Sequence, residues 1–154
     1  MVEQNHQPTR GVQTVLFFFD EDWDSKHEPS FVALLQDLAG KRAWSVGPPS
    51  LIDVTDHSSM TQSEDEPIRT FGGTLKLLAP YSATGEALDR SVEQFQLDEC
   101  EFLIRELAAF SRRTDIEIGF ELDGTSIGFV TKGRLNATLA QGFLGEWKGH
   151  IATR

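Results

Sequence analysis

The sequence predicts an α+β domain built on a mostly antiparallel sheet, with about three helices and a β-hairpin near the C-terminus. Three observations carry this. Apolar residues recur at helical spacing in segments near 30–39, 99–113 and 136–149. Groups of β-prone runs fall between them, one group closing in a hairpin over 115–131. No strand–helix–strand repeat, the signature of a parallel sheet, is present. With 154 residues, 39% of them apolar, the chain suffices for one core, and 13–151 reads as a single domain.

Residues 1–12 are mostly polar and without period, so they read as a disordered tail. From Thr14 to Phe19 an unbroken run of β-branched, aliphatic and aromatic residues predicts a strand buried on both faces and central in its sheet. Phe31, Leu34, Leu35 and Leu38 then define a helix, with Pro29 near its start and Gly40 just past its end. Ala43 to Val46 and Leu51 to Val54 read as short strands separated by Gly47-Pro48-Pro49, which cannot continue a ladder. Thr55 to Pro67 is polar, acidic and without period, as an exposed loop would be. Ile68 to Phe71 and Thr74 to Leu78 flank Gly72-Gly73, which fits either a tight hairpin turn or a bulge within one long strand.

Residues 80–97 show no single pattern. Ser91 interrupts a helical stripe through Leu88, Val92 and Phe95, and Phe95 with Leu97 fits a strand equally well. Asp98 followed by Glu101 forms an Asp version of the capping box, so the next helix is placed at 99–113, with Cys100, Leu103, Ile104, Leu107 and Phe110 on one face. Arg112 and Arg113 close it, where cations favour the helix dipole. Asp123-Gly124 then marks a two-residue type I′ turn. That turn sets Leu122 opposite Thr125, Phe120 opposite Ile127 and Ile118 opposite Phe129, leaving Glu117, Gly119, Glu121, Ser126, Gly128 and Val130 on a polar, low-relief side. Finally Leu135, Leu139, Phe143, Trp147 and Ile151 repeat every four residues behind Asn136, a natural N-cap. Gly142, Gly145 and Gly149 lie on a second face, each costing roughly 1 kcal/mol relative to alanine. Either close packing against another backbone, inside the domain or in a second copy, offsets that cost, or the helix is locally frayed there.

Charge and chemistry narrow the functional classes. Residues 1–101 hold 18 acids against 7 bases, whereas 102–154 hold 6 against 7. The excess falls mainly in Asp20 to Glu28, Asp53 to Glu66 and Glu86 to Glu101, a distribution that repels nucleic acid and anionic membranes. The longest apolar run is far too short to span a bilayer, no signal-type leader opens the chain, and the lone Cys100 excludes an internal disulfide. A cytoplasmic address is therefore expected. The junction Asp20-Glu21-Asp22-Trp23-Asp24, delivered by a buried strand, is the leading candidate for binding a basic protein partner, together with Glu64, Asp65 and Glu66. The expectation requires the acidic blocks to gather into one patch with no reactive cleft among them.

An enzyme is the rival reading. Asp20, Asp22 and Asp24 have the first three spacings of a calcium loop and would serve metal-dependent hydrolysis or phosphoryl transfer, although Ser25 and Phe31 stand where that loop needs glycine and glutamate. His6, His27, His57 and His150 lack ligand spacing, and no phosphate cradle, dinucleotide fingerprint or serine elbow occurs, so no cofactor is expected. Asp53, Asp56, His57 and Ser58 supply triad residue types, but neighbours on a polar loop rarely converge. Cys100, on the apolar side of a helix and beside three acids, reads as core. A third reading pairs two copies through the helix over 136–151.

Overall fold

The structure is a computed structural model that describes residues 11–20, 22–56 and 67–153. The expected tail up to residue 10 and loop residues 57–66 lie outside the described residues, as do Glu21 and Arg154. The fold is α+β, as the sequence predicts. Strands β1 (Val12–Asp20), β2 (Ser50–Asp56), β3 (Ile68–Leu78), β4 (Glu117–Leu122), β5 (Thr125–Thr131) and β6 (Arg134–Leu135) form one antiparallel sheet in the order β2-β3-β1-β4-β5-β6. Helices α1 (Glu28–Ala39), α2 (Arg90–Thr114) and α3 (Glu146–Ala152), with a π-helical segment at Thr138–Gly145, cover one face. Among the described residues, no helix is long and apolar enough to cross a membrane.

β1 is central, but it is not buried on both faces. Val15, Phe17 and Phe19 enter the core beneath the helices, while Leu16 and Phe18 are only half-buried on the opposite, uncovered face. Phe18 finds partial shelter over a neighbour that lacks a side chain: a Cβ on Gly119 would lie 2.6 Å from the Phe18 ring. An aromatic lying across a strand glycine recovers contacts the glycine forgoes. Phe17 lies over Gly73 in the same way on the core face.

The two glycines of β3 mark neither turn nor bulge. The ladder runs unbroken from Val12↔Leu78 to Phe18↔Gly72, and from Ser50↔Thr74 to Asp56↔Ile68, making one long strand. The hairpin register expected from Asp123-Gly124 holds only for its first two pairs. Beyond Glu121↔Ser126 a bulge at Ile127 brings Phe120 opposite Gly128 and Ile118 opposite Val130. Gly128 takes φ +131°, and a Cβ there would lie 2.6 Å from Leu139 and from the Asn136 amide oxygen. The extra residue exchanges faces, so Val130 is fully buried and Phe129 is turned out, 40% exposed.

Two further expectations are corrected. Ala43 to Val46 form no strand, because the Ser45 backbone N–H donates to the Glu99 carboxylate rather than to a ladder, while Trp44 packs on Phe102. Helix α2 starts at Arg90, so Asp98 is not a cap but an interior residue that accepts from the Gln94 amide at 3.0 Å. The last helix also differs from a regular one over 136–149. Asn136 does act at its start, its amide oxygen accepting from Leu139 N–H at 3.2 Å and from Phe129 N–H at 2.9 Å. A stripe repeating every four residues drifts by about 40° per step on an α-helix. The wider π turn over the first half drifts the other way, keeping Leu139 and Ile151 buried and Phe143 and Trp147 against the core. Packing inside the domain does not explain Gly142 or Gly149, since a Cβ on Gly142 would meet only Thr138 at 3.8 Å and one on Gly149 nothing within 4 Å, whereas a Cβ on Gly145 would lie 3.3 Å from the Ala140 carbonyl oxygen.

Candidate functional site

β1 and β2 end, and β4 begins, at the same end of the sheet, with Asp20 paired to Glu117 and Asp56 to Ile68. This brings the described part of the second acidic block, Asp53 and Asp56, to the same end as the first. Trp23 folds back as expected, its ring set edge-on to Phe19 at 5.3 Å, and its indole N–H donates to Glu28 Oε2 at 2.8 Å. Arg69 joins the two blocks. Its guanidinium donates to both Glu28 oxygens at 2.9 and 3.1 Å and to both Asp53 oxygens at 2.9 Å, while lying 5.0 Å over the Phe71 ring. These hydrogen bonds hold the Glu28 and Asp53 carboxyls below the usual carboxylate range.

Asp22 is exposed, whereas Asp24 caps a short turn by accepting from Lys26 N–H at 3.0 Å, which lowers its pKa. Among the described residues, no three His, Cys, Asp or Glu side chains form a group able to hold a metal ion, so Asp20, Asp22 and Asp24 do not converge. Asp53 belongs to Arg69 rather than to a triad. His57, Ser58, Glu64, Asp65, Glu66 and Glu21 lie outside the described residues.

The third acidic block is elsewhere, which overturns the expectation of one patch. It packs at the opposite end of the sheet, where Gln96 accepts from Leu78 N–H at 2.7 Å and donates back to Leu78 O at 3.3 Å. Glu93, Gln96 and Glu99 of α2 are all buried. Glu101 bridges Lys148 at 2.5 Å. This inward polar row was missed in the sequence because its spacing of three lies on a face where an apolar period was sought. The legible signal was two acids and an amide at helical spacing before Cys100.

Glu99 illustrates the chemistry of that row. The Ser45 hydroxyl lies 2.8 Å from Glu99 Oε2 and 3.1 Å from Gln96 Oε1. One hydroxyl proton cannot serve two acceptors, and a protonated Glu99 resolves the conflict by donating to Ser45 while Ser45 donates to Gln96. Burial pushes the Glu99 carboxyl above its ordinary range, against the opposing hydrogen bonds from Ser45 and the charge of Arg42. The folding contribution of Glu99 is accordingly full below its unfolded pKa near 4.5 and declines as pH rises through the higher folded value. Glu99→Gln is expected to gain stability relative to wild type as pH increases from 4.5 upward. Urea melts of both proteins across that range check this, and a difference independent of pH would contradict it. Cys100 is core, its thiol pushed up by burial and then by Glu99 and Glu101.

Beside this row a cleft of about 350 Å³ opens between β3, the segment 80–88, α2 and the C-terminal helix. Leu77, Leu88 and Phe143 supply apolar walls, and Glu93, Glu146 and His150 reach it as well. The Trp147 indole N–H donates to Glu93 Oε2 at 3.1 Å across the cleft wall. Comparison with known proteins gave no match to a family model, a curated protein or a solved structure.

Proposed function

We propose that this is a non-enzymatic interaction domain that binds a basic protein partner at the acidic end of its sheet, as an inhibitor, immunity-type factor or assembly subunit does. The three acidic blocks do not form the single patch expected from the sequence, and the carrying observation is a smaller surface, where Asp22, Asp24, Glu28 and Asp53 lie around Trp23 and Arg69. The surface there combines carboxylates with a partly exposed aromatic ring, the combination that steers and then anchors a cationic partner.

The adjoining edge strand supports this reading. β2 is regular against β3, contains no proline or lysine, and exposes Leu51 at 45% and Val54 at 50%. Its only charged residues are Asp53 and Asp56, so the edge disfavours an acidic strand and leaves a basic one unopposed. Between Arg42 and Arg69 the sequence has no lysine or arginine and five acids, so a basic segment meets no like charge there. The composition and lone cysteine accord with the cytoplasm as the place of action. The metal-dependent alternative through Asp20, Asp22 and Asp24 finds no support in the described geometry.

Affinity capture from native lysate at low and high salt, with wild type and Asp22→Lys, tests the proposal. A stoichiometric basic partner should be held at low salt, be released at high salt, and associate about tenfold more slowly with the variant. Recovery of no stoichiometric partner at low salt would sink the reading.

A further inference from the structure

The edge of the sheet farthest from β2 gathers positive charge in a chain whose net charge is −10. The turn from β5 to β6 takes positive φ at Lys132 (+52°) and Gly133 (+83°). A Cβ on Gly133 would lie 3.0 Å from Arg112 Cβ, so the missing side chain lets this turn close against the last turn of α2. Arg112, Lys132 and Arg134 thereby line one open pocket of about 570 Å³. No acid is among its lining residues, and none of the three cations has an ion pair among the described residues. Thr131, also in the wall, donates its hydroxyl to Glu117 Oε1 at 3.2 Å. Like charges held together without a counter-charge destabilise a fold, and the dipole of α2 accounts only for Arg112.

Two further groups in the wall indicate what the cations receive. Asn136 Oδ1 accepts from Phe129 N–H at 2.9 Å and from Leu139 N–H at 3.2 Å, which fixes the orientation of the amide. Its NH2 group is left as a donor with no hydrogen bond among the described residues. Phe129, turned out of the core by the bulge at Ile127 and 40% exposed, sets an aromatic ring beside the three cations. Guanidinium, ammonium and amide NH2 groups are all donors, a set that matches the acceptor oxygens of a phosphate. An accessible ring offers a stacking surface to a heteroaromatic base. The volume falls within the range of small-molecule sites.

We propose that this pocket binds a small phosphate ester that carries an aromatic ring, a nucleoside monophosphate in its simplest form. The phosphate lies among Arg112, Lys132, Arg134 and the Asn136 amide, and the base stacks on Phe129. The net charge of −10 opposes an anion at long range, but salt at 0.1 M screens that repulsion over about 10 Å, so the local cluster governs binding. The test is a titration of the full chain, followed by amide NMR shifts, with adenosine monophosphate, adenosine, ribose 5-phosphate and inorganic phosphate as matched probes. Adenosine monophosphate should give saturable shifts centred on Phe129, Gly133 and the Asn136 side-chain amide, with Kd below about 1 mM. It should bind about tenfold more tightly than each of the other three. Arg134→Gln should weaken adenosine monophosphate and ribose 5-phosphate about tenfold and leave adenosine unchanged. Phe129→Ala should remove the advantage of adenosine monophosphate over ribose 5-phosphate and leave ribose 5-phosphate unchanged. Both side chains are exposed, so both variants should fold. Equal affinity for adenosine monophosphate and adenosine would remove the phosphate site, and equal affinity for adenosine monophosphate and inorganic phosphate would reduce the pocket to an unselective anion patch. Either result, or the absence of saturable shifts, overturns the proposal. None of these outcomes bears on the basic partner, whose surface lies around Trp23 and Arg69.

Discussion

Gly72→Ala should abolish stable folding. Gly72 sits mid-strand between two partners, paired with Phe18 of β1 and Ile52 of β2. A Cβ built on it would fall inside the van der Waals envelope of the Phe17 carbonyl oxygen and lie 2.7 Å from Phe18 Cα. Both contacts are with backbone, so no rotamer change relieves them. The remaining escape is to part β1 from β3, which disrupts the ladder at the centre of the sheet. Overpacking of this kind costs at least about 3 kcal/mol, against a total of roughly 5–15 kcal/mol for a typical domain. Circular dichroism and a urea melt of the purified variant check the expectation. Gly142→Ala is the matched control, because the same added methyl makes only an ordinary contact with Thr138; it should be neutral or slightly stabilising. A Gly72→Ala protein with wild-type urea midpoint would show that β1 and β3 do not approach as described.

Phe31→Ala is expected to cause the largest loss among side-chain truncations. Phe31 is fully buried and is the hub of the aromatic core, with ring centroids 4.8 Å from Phe19, 5.4 Å from Phe110, 5.7 Å from Phe71 and 6.2 Å from Phe17. Its removal combines lost burial with a cavity among rings anchored on β1, β3 and α2, none of which can collapse into it easily. Phenylalanine-to-alanine changes at such sites cost about 3–5 kcal/mol, which in a chain of this size lowers Tm by roughly 10 °C or more. Phe129→Ala removes an equal side chain from the uncovered sheet face and should cost less than about 1 kcal/mol. Differential scanning calorimetry of the pair reads the contrast directly. Similar losses for both would mean that the uncovered face is covered in solution.

Local pattern was enough for the elements whose inward face is apolar. α1, the second half of α2 and the turn at Asp123-Gly124 were readable from spacing, and β1 was readable as a central strand although its unbroken apolar run hid that only one face is buried. Three of the errors share one cause: a distant group replaced the local partner. Ser45 gave its N–H to Glu99, so no strand formed over 43–46. Glu93, Gln96 and Glu99 found Trp147, Leu78 and Ser45, so the first turns of α2 bury polar side chains that sequence reading assigns to solvent. The bulge at Ile127 depends on how Gly128 meets Leu139 and Asn136, a contact between β5 and a helix that follows it.

The candidate sites divide in the same way. The acid content and the aromatic at Trp23 were plain in the chain, since charge and composition need no folding to count. Which acids meet was not, because strand order decides it: the ladder brings Asp20 and Asp53 to one end and sends the Glu86 to Glu101 block to the other. The cleft had no sequence signature, for its lining comes from β1, β3, β4, α2 and the C-terminal helix at once. By itself, then, the sequence determined class, helix faces and the sign of the charge, all of which follow from neighbours one to four residues apart. Register, the inward polar row and the separation of the acidic blocks were decided only by tertiary structure, where hydrogen-bond satisfaction and steric fit between distant segments outweigh local preference.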